Sequence, residues 1–380
     1  MGIALLMMGL ASASAFAPGA TLPQFRVVQS RAAVLTMEDV KPVVIGLAAD
    51  SGCGKSTFMR RMTGIFGGET KLLDIGRETN TLVSDMTTVI CLDDYHKWDR
   101  TGRKSNPEWP DGITALHADC QLWDKMAEDV TNLKKGVAVD KPIYNHITGE
   151  LDPDEHVEPT PIVIFEGLHP MYDERVNEAL DLTIYLDITD QVKFAWKMQR
   201  DMAERGASEE EVQAAIDARK PDFAAYVEPQ KQKADIVIQV LLSDLVDDPT
   251  GKFLKVKYIQ KKSVTACEAP FLFDKGSSIE WTPNTEKLSV SGAGVVMKSY
   301  DDEWFGQPVS VVEMDGKLDV LDEMIYVESA ICGSGTKFYG ELTEQMVKNK
   351  DAPGSENGTG LFQTLASFKI REAYESITSA

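Results

Sequence analysis

Cysteine is scarce in this chain: five residues in 380, scattered without the close pairs of a zinc site. That excludes a small disulfide-built secreted scaffold. Positive charge is also short. Sixty acidic side chains outnumber 39 basic ones, for a formal net charge of −21. So much negative charge repels a phosphate backbone, which excludes nucleic-acid binding through a global basic surface. The apolar run Gly2 to Ala15 falls short of the ~20 residues a membrane helix needs. Acid is missing from residues 1–36, whose only charges are Arg26 and Arg31. With 43 % hydrophobic and 26 % charged residues the chain can bury a core, so a disordered chain is excluded too.

What is present is an alternation. Val43–Ala48, Thr88–Leu92, Ile162–Phe165, Leu182–Leu186 and Ile236–Leu242 are short apolar runs rich in β-branched residues. Such runs suit strands covered on both faces of a parallel sheet. Helical patterns lie at Lys55–Ile65, Thr114–Lys135 and Gln191–Glu204. The expected fold class is a doubly wound α/β sheet, mostly parallel. After about Leu245, strand patterns follow one another closely at Phe253–Ile259, Ser278–Trp281, Leu288–Val290, Gly294–Tyr300 and Pro308–Met314. Helices are expected near Leu318–Ser329, Lys337–Lys348 and Leu361–Ile377, with a loop at Pro353–Gly360. This divides the chain into a leader (1–36), a core (37–245) and a mixed or antiparallel C-terminal α/β subdomain (246–380) that extends the first sheet.

The first strand runs into Ala49-Asp50-Ser51-Gly52-Cys53-Gly54-Lys55-Ser56-Thr57 and then a helix. This is nearly the phosphate loop G-x-x-x-x-G-K-[ST], with Ala49 at the first glycine. Gly52 and Gly54 let backbone N–H groups turn inward around phosphate oxygens. Lys55 adds a point charge for the β- and γ-phosphates, and Ser56 a hydroxyl for Mg²⁺. Ser51 through Thr57 are the expected ATP-binding residues, with the helix dipole behind them. The loop says nothing about what receives the phosphate.

The second strand leads into Asp93-Asp94-Tyr95-His96 and then Arg100, Arg103 and Lys104. A carboxylate at a strand's carboxyl end can accept a proton from an attacking hydroxyl, and the basic residues can clamp an anionic acceptor. A solvated charged loop explains that segment equally well. Glu166 at the end of the third strand is a candidate metal carboxylate. Lys197, Asp201 and Arg205 recur at helical spacing beside Arg200. That pattern fits a salt-bridged surface helix, or a lid bringing positive charge to a transferring phosphoryl group.

Together these segments resemble the phosphoribulokinase family of P-loop kinases, in its plant and algal form. The matching runs are GLAADSGCGKSTFMRRMTGIFGG (46–68), VICLDDYHKWDRTGRK (89–104), VDKPIYNHITGELDP (139–153), IFEGLHPMYDERV (164–176), VKFAWKMQRDMAERG (192–206), ARKPDFAAYVEPQKQ (218–232) and Gly335-Thr336-Lys337-Phe338-Tyr339-Gly340-Glu341. The resemblance implies ATP-dependent phosphorylation of ribulose 5-phosphate at O1 in the Calvin cycle, with Mg²⁺. It implies Asp93 as general base and Lys55, Ser56 and Glu166 at the phosphate and metal positions. His96, Arg100, Lys104 and His146 would bind the sugar phosphate. Lys197, Arg200, Asp201 and Arg205 would close over the site, which moves the lid reading ahead of the surface one. Cys53 and Cys91 match a regulatory dithiol reduced by thioredoxin. A homodimer is implied as well. The family's oxidised assembly with glyceraldehyde-3-phosphate dehydrogenase and a small linker protein uses a second, closely spaced cysteine pair; Cys267 has no near neighbour. Rival readings are another P-loop kinase such as a uridine kinase, and a non-catalytic scaffold, which would have no use for Lys55, Asp93 and Glu166 together.

The leader has its own logic. A short apolar stretch ends in Ser12-Ala13-Ser14-Ala15, an A-x-A-like cleavage pattern, and Ser/Ala-rich, acid-free sequence follows. The join Ala13-Ser14-Ala15-Phe16-Ala17-Pro18 resembles the signal–transit junction of algae with secondary plastids. It implies delivery to a chloroplast stroma and a mature protein free of membrane.

Overall fold

The computed structural model describes residues 41–50, 52–66, 85–110, 112–196, 208–248, 252–290, 292 and 294–379. Among these described residues thirteen strands run β1 Val43–Ala49, β2 Thr87–Cys91, β3 Val139–Tyr144, β4 Leu151–Val157, β5 Ile162–Gly167, β6 Leu182–Ile188, β7 Ile236–Leu242, β8 Leu254–Lys261, β9 Phe271–Leu272, β10 Ile279–Trp281, β11 Val295–Trp304, β12 Gln307–Gly316 and β13 Ile331–Cys332. The main helices are α1 Lys55–Phe66, α2 Trp123–Lys134, α3 Glu209–Asp222, α4 Glu341–Lys348 and α5 Gly358–Thr378.

Nine strands form one sheet in the order β2-β5-β1-β6-β7-β8-β12-β11-β10. From β2 to β7 neighbours are parallel, and from β7 to β10 they are antiparallel. The apolar run of β1 explains why its strand is central: all seven residues are buried. Side chains alternate between faces, so Val43, Ile45 and Leu47 join a core with Phe58 and Met62 of α1 and Phe362 and Leu365 of α5. Val44 points the other way, into a core with Val163 and Phe165 of β5 and Met126, Val130 and Leu133 of α2. The carboxyl ends of β1, β2 and β5 therefore open side by side between these helical layers.

The parallel core and its antiparallel extension follow the sequence reading, and four details differ. Leu288–Val290 is not a strand. Thr285–Leu288 is a helical turn whose buried Leu288 offers its carbonyl to the Asp319 and Val320 amides. The helix expected from Thr114 starts only at Trp123, because local side-chain bonds capture the preceding backbone. Thr114 Oγ1 accepts the Leu116 amide and His117 Nδ1 the Asp119 amide. Gly358–Gly360, expected in a loop, belong to α5, which Asn357 caps by accepting the Thr359 amide. Closer to the site, the β3–β4 hairpin and α3 were absent from the reading. Pro142 and the exposed, charged β4 hide the hairpin. The helix carries a legible mark, the Ser208–Glu211 capping box.

Helix α5 is the largest single contributor to the α1-side core, and its Phe362 is fully buried with its ring 6.0 Å from Tyr258. Phe362→Ala should cost about 3–5 kcal/mol. Urea unfolding followed by circular dichroism checks this; a loss below about 1 kcal/mol would contradict the packing.

Candidate active site

At the end of β1, Ala49 is still paired with Leu186, and so needs no left-handed backbone. The next turn does. Gly52 and Gly54 sit at φ +81° and +83°, a region that disfavours any side chain. Helix α1 starts at Lys55, whose Nζ lies 3.4 Å from the Ala49 carbonyl. Gly52, Gly54, Lys55, Ser56 and Thr57 line a cleft of about 1400 Å³. Ser51 lies outside the described residues. The loop is tethered laterally. Asp50 accepts from Arg219 of α3 at 3.2 Å and pairs with Lys193 at 3.3 Å.

Across the cleft, β2 ends at Cys91 and a 3₁₀ turn, Leu92–Tyr95, presents two acids in opposite directions. Asp93 lines the cleft, its side chain 31 % exposed, with His146 Nε2 3.9 Å away. Burial pushes its carboxyl up, but the charges of His96, Lys55 and His146 outweigh it and hold Asp93 below the ordinary value. Burial also pushes His96 down to about 4, so near neutral pH Lys55 is the permanent charge that keeps Asp93 ionised. The effect is mutual. Glu166 and Asp93 raise the Lys55 ammonium against its own burial. Glu166 lines the same cleft, in register with Leu47 and Cys91 on its two sides.

Asp94 turns inward. It bonds Lys141 Nζ at 2.5 Å, both side chains fully buried, and accepts the Tyr144 amide at 2.8 Å. This locks the β3–β4 hairpin onto the end of β2 and carries Tyr144 and His146 into the cleft lining. Arg103 Nη2 donates to the Tyr144 hydroxyl at 2.9 Å, and Arg100 Nη2 to the His146 carbonyl at 2.6 Å. The cleft thus gathers Asp93, His96, Arg100 and His146 as expected. Lys104 is exposed and is not part of its lining, whereas Arg103 is. Lys197, Arg200, Asp201 and Arg205 lie outside the described residues. Tyr144, Arg219 and the Asp94–Lys141 pair were missed, because each depends on an element that the sequence reading lacked.

Cys53 and Cys91 are free and buried. Burial pushes the Cys53 thiol up to about 12, with Asp50 adding to it, and pushes Cys91 well above the ordinary thiol. Neither is a ready thiolate in this state.

His169 is buried like His96; its Nε2 donates to the Leu116 carbonyl at 2.8 Å, and burial pushes it down to about 4. Between pH 6.5 and about 4 the unfolded chain binds protons that these two folded imidazoles refuse, so stability falls as pH drops through that window. The loss is on the order of 3 kcal/mol per histidine by pH 4. Denaturant titrations at pH 7 and 4.5 should show it, and His169→Gln should flatten the slope by about one proton. An unchanged slope would contradict the burial argument.

Residues 44–247 match the Phosphoribulokinase / Uridine kinase family. The chain is 55 % identical over 365 residues to a chloroplastic phosphoribulokinase of Chlamydomonas reinhardtii, covering 95 % of this chain and 96 % of the relative. It is 50 % identical over 345 residues to a phosphoribulokinase of Synechocystis, covering 91 % and 98 %. A uridine kinase of Latilactobacillus sakei is 27 % identical over 206 residues, 54 % of this chain and 88 % of that one. With more than half of its length inside the matched region, this chain belongs to the phosphoribulokinase / uridine kinase family.

Proposed function

We propose that this chain transfers the γ-phosphoryl group of ATP to O1 of ribulose 5-phosphate. The observation that carries the chemistry is Asp93, a cleft-facing carboxylate held ionised opposite the phosphate loop by Lys55. Relatives that match over nearly the whole chain are named phosphoribulokinases, whereas the uridine kinase matches about half of it, which favours the sugar phosphate as acceptor.

In this mechanism Asp93 accepts the O1 proton as that oxygen bonds to the γ-phosphorus, and the bond from phosphorus to the β-bridging oxygen breaks to release ADP. The loop amides and Lys55 balance charge on the phosphoryl oxygens. Arg100, Arg103, His96 and His146 supply donors for the sugar's own phosphate. Lys104, expected in that role, would act from the rim. Lys197, Arg200, Asp201 and Arg205 are assigned to closure over the site on the family resemblance. Ser56 and Glu166 are hard oxygen donors on one cleft, a set that fits Mg²⁺ held by one or two protein groups plus substrate phosphates. Mg²⁺, when bound, neutralises charge on the β- and γ-phosphates.

The proposal extends to a chloroplast stromal setting, supported by the relatives' chloroplastic names, and to a Calvin-cycle homodimer regulated through Cys53 and Cys91. The leader 1–36 would be the targeting segment. Thioredoxin is the proposed reductant, and assembly with glyceraldehyde-3-phosphate dehydrogenase and a linker protein would have to manage without a second close cysteine pair. A Cys53–Cys91 disulfide would pull the loop from its phosphate-cradling shape, since bridged Cα atoms lie within ~7 Å.

Asp93→Asn should lower kcat by roughly 10²–10⁴-fold with ADP affinity unchanged; near-normal turnover in a coupled assay would sink the assignment of the base. Oxidation should lower activity, slowly because both thiols are buried and protonated, and Cys53→Ser should abolish the effect. A disulfide verified by mass spectrometry in a fully active enzyme would remove the switch.

A further inference from the structure

One run of chain behind the cleft grips the phosphate loop, the acceptor side and the turn after Glu166. Helix α3 continues directly into a π turn, Phe223–Val227, and a 3₁₀ turn, Glu228–Gln232. Turns of the π kind are rare and concentrate at functional sites. Near the start of this run Arg219 donates to Asp50 of the phosphate loop. Asp222 Oδ2 then accepts the Thr114 hydroxyl at 2.5 Å. His117 Nδ1 already accepts the Asp119 amide, so Nε2 carries the ring's proton and donates to the Tyr226 hydroxyl at 3.0 Å. Gln230, buried, donates to the Leu168 carbonyl at 2.7 Å and accepts the Met171 amide at 2.9 Å. Leu116, Leu168, Val227 and Phe223 close a small apolar core between these contacts.

On the acceptor side the run holds the backing of His96. Thr114, Ala115 and Leu116 line the cleft, and Gln121 Nε2 reaches back to the Ala115 carbonyl at 3.2 Å. Residues 120–122 lie antiparallel along Tyr95–Lys97, with His96 facing Gln121. The Lys97 amide donates to the Cys120 carbonyl at 2.7 Å and the Leu122 amide to the Tyr95 carbonyl at 2.8 Å. Among the described residues neither ring nitrogen of His96 has a hydrogen-bond partner. The ring is therefore placed by its backbone and by an edge contact with Tyr144, centroids 4.9 Å apart. A shift of residues 114–121 carries His96 with it, and a misplacement of about 1 Å at such a group can cost about a hundredfold in rate. Resting on the acceptor assignment above, we propose that α3 and its π turn form a brace fixing His96 relative to the phosphate loop. Asp222 and Tyr226 are its positioning residues for the sugar phosphate. Both stand outside the cleft lining, so they act through Thr114 and His117 rather than on the substrate itself.

The test separates the two substrates. Steady-state kinetics of the full chain, varying ATP and ribulose 5-phosphate in turn, are measured for wild type, Asp222→Ala, Tyr226→Phe, His96→Ala and the Asp222→Ala, His96→Ala double variant. KM for ribulose 5-phosphate should rise about tenfold with Asp222→Ala and about threefold with Tyr226→Phe, while KM for ATP stays within about twofold. On the His96→Ala background Asp222→Ala should add less than about twofold, because the brace acts through that ring. A rise shared equally by both substrates, no rise at all, or the whole effect persisting without His96 would overturn the proposal. Tyr226→Phe keeps the ring contacts with His117 and Tyr172 and removes one hydrogen bond, so it decides the matter even if Asp222→Ala fails to fold. A wild-type chain inactive toward ribulose 5-phosphate would instead take down the acceptor assignment itself.

Discussion

Everything in the cleft depends on one half-buried charge, the Lys55 ammonium, which the carboxylates of Glu166 and Asp93 hold protonated. It sits where β1, β5 and β2 end side by side, so the parallel sheet brings three residues spread over more than a hundred positions into one electrostatic unit. Burial opposes the charge on both Lys55 and Asp93, and each is held ionised by its neighbours. A chain with a net charge of −21 does not steer anions from a distance. Over the ~8 Å that salt leaves unscreened, a few cations on the cleft wall can prevail. Lys55, Arg100, Arg103, Arg219, Lys252 and Lys350 line it.

The supporting frame is polar and buried, which is costly unless every partner is in place. Asp94 and Lys141 neutralise each other at the root of the hairpin, and Asp94 also holds the Tyr144 backbone. Removing either would leave a buried charge and free the strand that carries His146. Asp50 ties the phosphate loop to α3, and Arg61 ties α1 to the segment before α5. These three acid or guanidinium anchors set the positions of the acceptor side, the loop and that segment.

Much of this was legible before any fold was seen. Continuous apolar strands gave the parallel core, and the glycine spacing gave the loop, because both patterns follow from local backbone and burial rules. On the acceptor side Asp93, His96, Arg100 and Arg103 could be read from their own segment, and His146 through the family resemblance. Tyr144 and Lys141 sit on a hairpin whose outer strand is charged and exposed and whose inner strand contains Pro142, so no alternation betrays it. Arg61 looks like one basic residue among several on a helix. Its burial depends on α5, some 300 residues later, which no local pattern encodes. The expected strand at Leu288–Val290 failed for the converse reason: one buried leucine plugs the core from a helical turn.

The most direct test compares two acceptors in one coupled assay with ATP and Mg²⁺ under reducing conditions: ribulose 5-phosphate and uridine. Turnover with ribulose 5-phosphate, a 1,5-bisphosphate product identified by mass spectrometry, and no turnover with uridine is the predicted result. Phosphorylation of uridine in preference to the sugar phosphate, or of neither, would contradict the account.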